Sequence, residues 1–273
     1  MSAAKVVVVT GTSSGIGRAI AMYLGAAGHR VYGGSPTAET DDALPGVKPL
    51  PLDVRDDDAV TRFVRRVVDA AGRIDVLVNN AGYAMGGALE ETSIDEAKAQ
   101  FDTNFFGVAR MVNAVLPEMR RAGGGQVINI GSGAGITAEP FAGYYTATKF
   151  AIEGYTEALR HEVAPFGVKV SVVEPGWFRT AIVRNAKRAA RPMDVYERSR
   201  EAVFATVTGY CETGPDPVAV ARRVAEVMAA RRPYVRYPVG TDVTWSARFR
   251  RVLPERLYQR LVARYYRLHL LTA

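Results

Sequence analysis

Lys5-Val6-Val7-Val8-Val9-Thr10-Gly11-Thr12-Ser13-Ser14-Gly15-Ile16-Gly17 is the stretch that decides the architecture. Its unbroken apolar run predicts a strand covered on both faces, because a strand with one wet face alternates polar and apolar residues. The glycines that follow permit a sharp turn. Residues 16–27 then carry a helical pattern that Gly28 closes. Strand, glycine turn and helix in that order bring free N–H groups and the positive end of a helix dipole to one point. Such a point suits a pyrophosphate, which the glycines also let the backbone approach closely.

Outward from there the alternation repeats. Residues 30–34, 47–52 and 74–79 read as strands and 56–71 as an amphipathic helix, the rhythm of βαβ units. Ser93 followed by Glu96 predicts a capping box, opening a helical stretch that runs to residue 121 with a break near Asn104. A strand over 126–131, a helix over 144–164 and a strand over 168–174 follow, the last stopped by Pro175-Gly176. Beyond residue 180 come a polar helical stretch, a turn at 213–217, a helix to about 230, a short strand at 234–237 and a basic helix. The expected fold is therefore α/β: a Rossmann-type, doubly wound, mostly parallel seven-stranded sheet with helices on both faces. With no repeat and no long linker, residues 1–273 are expected to form one domain.

Composition narrows the function classes. Cys211 is the sole cysteine, which excludes an internal disulfide and a cysteine-based metal cluster; His29, His161 and His269 stand at no metal-ligand spacing, so no metal site is expected. The apolar runs are too short to cross a bilayer and the chain opens with no leader-like pattern, so a cytoplasmic location is expected. A net charge of +7 suggests nucleic acid, yet from Asp216 onward twelve Arg face four acidic residues. The basicity belongs to the tail, and nucleic-acid binding is not expected.

Tyr145-Thr146-Ala147-Thr148-Lys149 places a phenol and an ammonium one turn apart on a helix face. A neighbouring cation favours the phenolate and would bring a tyrosine toward the range of a useful acid and base. Tyr144, five residues from Lys149, does not share that face. Ser132 follows the end of the strand at 126–131, where parallel α/β sheets hold their ligands and where a hydroxyl can polarise a carbonyl. Asn104 is a mediocre helix former inside a helical stretch.

These motifs, taken in order, resemble the short-chain dehydrogenase/reductase family over nearly the whole segment 5–180. The matching residues are the Thr10-to-Gly17 glycine pattern, Asn79-Asn80-Ala81-Gly82, Asn104, Ser132 and the Tyr145/Lys149 pair. The resemblance implies that Tyr145 is the general acid in reduction and the base in oxidation, and that Ser132 holds the substrate oxygen. It implies that Lys149 binds the nicotinamide ribose and that Asn104 holds a water linking Lys149 to solvent. It assigns the cofactor to Gly11, Ser13, Ser14, Gly15, Ile16 and Gly17 at the pyrophosphate, and to Ser35, Asp53 and Val54 toward the adenosine. Asn80 and Gly82 line the same cleft, with Pro175, Phe178 and Thr180 over the nicotinamide. NAD-preferring enzymes place a carboxylate after the second strand; here Val31-Tyr32-Gly33-Gly34-Ser35-Pro36 offers none before Glu39, which favours NADP with NAD as the alternative.

The resemblance also makes residues 180–215 a substrate lid. There Ile182, Val183, Met193, Tyr196, Phe204 and Tyr210 suit either a bulky hydrophobic carbonyl or alcohol substrate or the lid's own packing. Residues 79–141 look most like hydroxysteroid- and retinol-dehydrogenase-like members. Helices over 104–121 and 145–164 resemble those through which family members form homo-oligomers. At about 255–268, Arg256, Arg260, Arg264 and Arg267 alternate with Leu257, Leu261, Val262, Tyr265 and Leu268. This amphipathic basic helix suits docking on its own domain or a neighbouring subunit, with peripheral contact to an anionic membrane as the alternative. Two other readings of the whole chain stay open: a non-catalytic cofactor sensor, and a dehydratase or epimerase on the same site.

Overall fold

The computed structural model describes residues 4–38 and 44–268. Strand β1 (Val6–Thr10) is buried along its whole length. Its side chains alternate between two layers: Val7 and Val9 enter one apolar cluster, Val6 and Val8 the other. That alternation explains the continuous valine run, since neither face of the strand meets water.

Helix α1 (Gly15–Ala26) ends with Gly28 at φ 87, the left-handed residue the sequence places there, and the chain enters β2 (Arg30–Ser35). After β3 (Val47–Pro51), Asp56 caps α2 (Asp57–Ala71) by accepting from the Asp58 and Ala59 N–H groups. Val60, Phe63, Val64 and Val67 form the buried stripe of α2, and Gly72 ends it in a left-handed turn. Strand β4 (Val76–Asn79) leads through the two-residue β5 (Met85–Gly86) to α3 (Ile94–Phe101), which the Ser93/Glu96 capping box opens as expected. The helical break near Asn104 is a π-turn over Asp102–Phe106, after which α4 (Gly107–Arg121) continues.

The remaining elements are β6 (Gly125–Ile130), α5 (Gly143–Val163), β7 (Val168–Pro175), β8 (Lys187–Arg188), α6 (Asp194–Thr213), α7 (Val218–Ala229), β9 (Arg236–Val239), α8 (Thr241–Val252) and α9 (Glu255–Tyr265). Seven strands form one parallel sheet in the order β3-β2-β1-β4-β6-β7-β9. Residues of α1 and α7 cover one face; residues of α2, α4 and α5 cover the other. The order reverses between β1 and β4, so the carboxyl ends of those strands diverge and open a crevice, the usual ligand position in a doubly wound sheet.

Two features depart from the sequence reading. The short parallel pair β5 and β8 was not foreseen, because two residues carry no periodicity. The basic helix expected over about 255–268 is α9, ending at Tyr265, and a further helix the sequence reading did not include, α8, precedes it across Leu253-Pro254.

Candidate active site

The crevice is built first by hydrogen bonds behind the glycine turn. Thr10 Oγ1 accepts from the N–H groups of Asn80 and Ala81 at 2.9 and 3.0 Å, while Asn80 Nδ2 donates to the Thr10 and Gly11 carbonyls at 3.0 and 3.1 Å. Gly11 adopts φ 72, and a Cβ on Gly17 would lie 2.2 Å from the Gly11 oxygen and 2.3 Å from Asn80 Nδ2. Both glycines are therefore structural requirements of the turn. Ser14, the N-cap of α1, makes no side-chain capping bond, and the first helical turn holds no acid. Its N–H groups and dipole remain available to an anion.

A cavity of about 390 Å³ runs from this turn along the carboxyl ends of β4, β6 and β7 to the 178–211 segment. Gly11, Ser13, Ser14, Gly15 and Ile16 line its phosphate end, Asn80 and Gly82 its floor, and Pro175, Phe178 and Thr180 its opposite wall. A Cβ on Gly15 would lie 3.8 Å from the Thr180 side chain, so the helix start and the segment after β7 face each other across the opening. Gly17 lies buried behind the turn rather than on the cavity surface. Ser35, Asp53 and Val54 are also absent from the lining: Ser35 and Val54 are buried, and Asp53 is gripped by Arg55 at 2.6 Å. The Arg55 hydrogen bonds hold the Asp53 carboxyl below its ordinary range. Glu39 lies outside the described residues.

Ser132, Tyr145 and Lys149 meet on this cavity, as expected. Tyr145 and Lys149 are both buried near the start of α5. The Lys149 ammonium lies 5.8 Å from the Tyr145 ring centroid and donates to the Ile130 carbonyl at 2.9 Å, at the end of β6. Ser132 accepts the Ala134 N–H at 3.1 Å and hydrogen-bonds to the Tyr145 phenol. Burial brings Lys149 down to about 8, opposed by Glu153 one turn along the helix. For Tyr145 the expected lowering is not met. Burial first, then the Glu139 carboxyl, push its phenol above the ordinary tyrosine range, and only the Ser132 hydrogen bond opposes them. Sequence spacing shows that a cation is near; it does not show how completely the phenol is withdrawn from water.

Asn104 sits behind this group and does not line the cavity. Its Nδ2 donates to the Tyr83 carbonyl at 3.0 Å and to Thr148 Oγ1 at 3.2 Å, and its Oδ1 accepts the Tyr83 N–H at 3.0 Å. Both amide donors are thus engaged, tying the Tyr83 loop to α5, so a proton relay from Lys149 cannot use Nδ2.

Other wall residues escaped the sequence reading. Of the six lid side chains, Ile182, Val183 and Phe204 line the first cavity and Tyr210 lines a neighbouring one; Met193 and Tyr196 line neither. That neighbouring cavity, about 480 Å³, shares Ser132, Glu139, Pro175, Gly176 and Trp177 with the first. Its far walls come from α8 and α9, including Val243, Trp245, Phe249, Tyr258, Leu261 and Tyr265. Trp177 Nε1 donates to the Tyr265 hydroxyl at 2.8 Å, the Tyr210 hydroxyl donates to the Tyr265 carbonyl at 3.0 Å, and the Tyr258 hydroxyl bonds with Thr137. The basic tail helix is docked on its own domain, with Tyr258 and Tyr266 rather than Leu257 and Leu261 as its buried anchors.

Comparison with known proteins accords with this geometry. Residues 5–191 match the family model for short chain dehydrogenase. A 3-ketodihydrosphingosine reductase from Bacteroides thetaiotaomicron is 37% identical over 265 residues, covering 96% of this chain and 98% of the relative. The human 17-beta-hydroxysteroid dehydrogenase type 1 is 35% identical over 257 residues, 86% of this chain and 77% of that one. A short-chain dehydrogenase from Streptomyces avermitilis superposes with a TM-score of 0.82 at 36% identity, covering 91% of this chain and 93% of that one. A family member from Burkholderia phymatum in complex with NAD superposes with a TM-score of 0.77 at 28% identity, with the same coverages. The chain belongs to the short-chain dehydrogenase/reductase family of oxidoreductases.

Proposed function

We propose that this chain moves a hydride between NADP(H) and a hydrophobic ketone or the corresponding secondary alcohol, with residues 180–215 as the lid over the substrate. The observation that carries the reading is that Ser132, Tyr145 and Lys149 together line the anion-suited crevice, and that Ser132 also lines the adjoining apolar chamber. A nicotinamide bound in the crevice supplies or accepts the hydride. The glycine turn and the start of α1 would hold its pyrophosphate, Ser35, Asp53 and Val54 its adenosine side, and Asn80, Gly82, Pro175, Phe178 and Thr180 the remainder. NADP is favoured because Ser35-Pro36-Thr37-Ala38 presents no carboxylate after β2 among the described residues.

In reduction, Ser132 holds the carbonyl oxygen and Tyr145 delivers a proton to it as charge develops there. The buried phenol is kept in its protonated form, which is the form an acid must have. An alkoxide is a stronger base than a phenolate, so the transfer runs downhill, and Lys149 stabilises the phenolate that is left. Oxidation runs the same steps backward. The cytoplasm is the proposed location, and pairing of copies through α4 and α5 is the proposed assembly.

The test follows absorbance of the reduced cofactor, NADPH and NADH separately, with ketones of increasing apolar length. Turnover should favour NADPH and rise with length. Tyr145→Phe should lose at least about a thousandfold in kcat while still binding cofactor. Cofactor binding without turnover in the wild type, or retained turnover in Tyr145→Phe, refutes the reading.

A further inference from the structure

Docking of α8 and α9 through Val243, Tyr258 and Tyr266 turns other sides of both helices outward, and those sides are not simply polar. On α8, Trp245, Arg248, Phe249 and Val252 recur at intervals of three and four residues and so share one face. On α9, Leu257, Arg260, Leu261, Arg264 and Tyr265 do the same. Every one of these residues is exposed. Of the fifteen large hydrophobic side chains exposed among the described residues, six stand on these two stripes. Single exposed apolar side chains are ordinary, whereas a stripe of them on each of two successive helices marks a surface that meets something apolar.

The stripes belong to one surface. Trp245 and Phe249 from the first, and Leu261, Arg264 and Tyr265 from the second, all line the chamber of about 480 Å³ that Ser132 also lines. Side chains that are exposed and line the chamber at once form its mouth. The charge around that mouth is of one sign. Helices α8 and α9 carry Arg248, Arg250, Arg251, Arg256, Arg260 and Arg264 against Asp242 and Glu255. Both acids are occupied: Asp242 accepts the Trp177 N–H at 3.2 Å and Glu255 accepts from Gln259 Nε2 at 2.8 Å. Among the described residues none of Arg248, Arg256, Arg260 and Arg264 pairs with a carboxylate, and the Arg248 guanidinium lies 5.3 Å from the Trp245 ring centroid.

We propose that this face docks the protein on the surface of an anionic phospholipid bilayer. Trp245, Phe249, Val252, Leu257 and Leu261 enter the interface, and Arg248, Arg256, Arg260 and Arg264 meet lipid phosphates. Rings and aliphatic chains set among arginines suit that boundary, where the apolar parts sit at headgroup depth and the guanidiniums reach anionic groups. No described helix is long and apolar enough to cross a membrane, so the contact is a peripheral one. A second copy of the chain fits less well, because a two-fold sets this face against itself and brings arginine against arginine. Docking also presents the mouth of the chamber to lipid, so that an apolar substrate passes from the bilayer toward Ser132 without crossing water. That last step alone rests on the carbonyl-reducing reading.

Cosedimentation with vesicles tests the docking without turnover. Wild type should bind phosphatidylcholine vesicles containing an equal part of phosphatidylglycerol at least about tenfold more tightly than phosphatidylcholine alone, and high salt should erase the difference. Arg256→Gln with Arg260→Gln should weaken binding to the anionic vesicles at least about tenfold, and Val252→Gln with Leu257→Gln at least about fivefold. Both variants should keep the wild-type denaturant midpoint, since all four side chains are exposed and none lines either cavity. Quenching by brominated lipid reads the contact in the unmodified protein, and Trp245→Phe should abolish it, Trp177 being the only other tryptophan. Wild type that does not bind, binds both mixtures equally or binds without quenching overturns the proposal. Wild type that ignores vesicles yet self-associates, in a way that Val252→Gln with Leu257→Gln breaks, assigns the face to a second copy and overturns it equally. Entry from the bilayer is read separately: kcat/KM for a long-chain ketone held in anionic vesicles should fall in the arginine variant, while that for a short soluble ketone stays at wild type. An unchanged long-chain value overturns the entry step. Absence of hydride transfer to any ketone refutes the reductase reading and leaves the vesicle result standing.

Discussion

Replacing Gly17 by Ala tests the cofactor crevice at its tightest point. The new methyl would lie 2.2 Å from the Gly11 oxygen and 2.3 Å from Asn80 Nδ2, about 1 Å inside van der Waals contact in both directions. Neither neighbour can yield cheaply. Asn80 Nδ2 is the donor in two bonds, to the Thr10 and Gly11 carbonyls, and Gly11 already sits at φ 72. Displacing the amide forfeits about 1 kcal/mol for each bond, and overpacking adds about 1–3 kcal/mol, giving about 3–5 kcal/mol in all. At 1.4 kcal/mol per decade, that corresponds to roughly a hundredfold to a thousandfold or more, divided between fold stability and cofactor affinity. Denaturant midpoints and nicotinamide fluorescence titrations read the two parts, and their sum should reach that range. Gly28→Ala is the control: its φ of 87 strains an alanine but a Cβ there meets nothing within 4 Å, so it should cost about 1 kcal/mol of stability and leave the cofactor Kd unchanged. A Gly17→Ala protein with wild-type midpoint and wild-type Kd refutes the packing account of the turn.

Two further outcomes concern stability alone. Gly154→Ala, on the exposed face of α5 where a Cβ meets nothing within 4 Å, should stabilise the monomer by about 0.5–1 kcal/mol in chemical denaturation; a destabilised variant shows that another surface covers this helix face. Glu174, 1% exposed and raised to about 8 by burial and by Glu153, gives wild type a stability that is greatest below the unfolded carboxyl range and falls as pH climbs toward 8. Glu174→Gln should flatten that decline, by up to about 4 kcal/mol between pH 5 and pH 8. An unchanged slope shows that Glu174 does not carry the decline, although Glu139 adds to it with the same sign.

The sheet was legible because its signals are local. Four consecutive valines report burial on both faces, Ser93 and Glu96 cap a helix within four residues, and Gly28 marks a left-handed stop. The grouping of Ser132, Tyr145 and Lys149 was legible because they occupy a strand end and a helix turn whose positions the same signals fix. What escaped depends on contacts between distant segments. The cavity walls made by α6, α8 and α9 arise where the chain returns over the sheet edge, and no window of sequence contains that meeting. The Leu257/Leu261 stripe of α9 reads as its buried face, yet both leucines are more than a third exposed while Tyr258 and Tyr266 are buried. Aromatic hydroxyls that find partners across the domain outweigh the simple apolar pattern. Glu139 escaped for a related reason: only the tertiary structure brings the loop at 138–140 to the boundary of the two cavities.

The division of labour along the chain follows from this geometry. The family match ends at residue 191, and the strand ends, the glycine turn and the Ser132/Tyr145/Lys149 group all lie within it. The apolar chamber is walled largely by Val243, Trp245, Phe249, Tyr258, Leu261 and Tyr265, all beyond it. The basic excess of this region is partly engaged within the domain: Arg236 pairs with Glu153 at 2.8 Å and with Glu157 at 2.7 Å, and Arg250 donates to the Ile136 carbonyl. Since the tail's buried aromatics close the chamber, its arginines are placed by that docking and are not in themselves evidence of an external polyanion. The chemistry is therefore built by the part of the chain that its relatives share in the family model. On the proposed reading, the volume open to a substrate beside Ser132 is set by the tail.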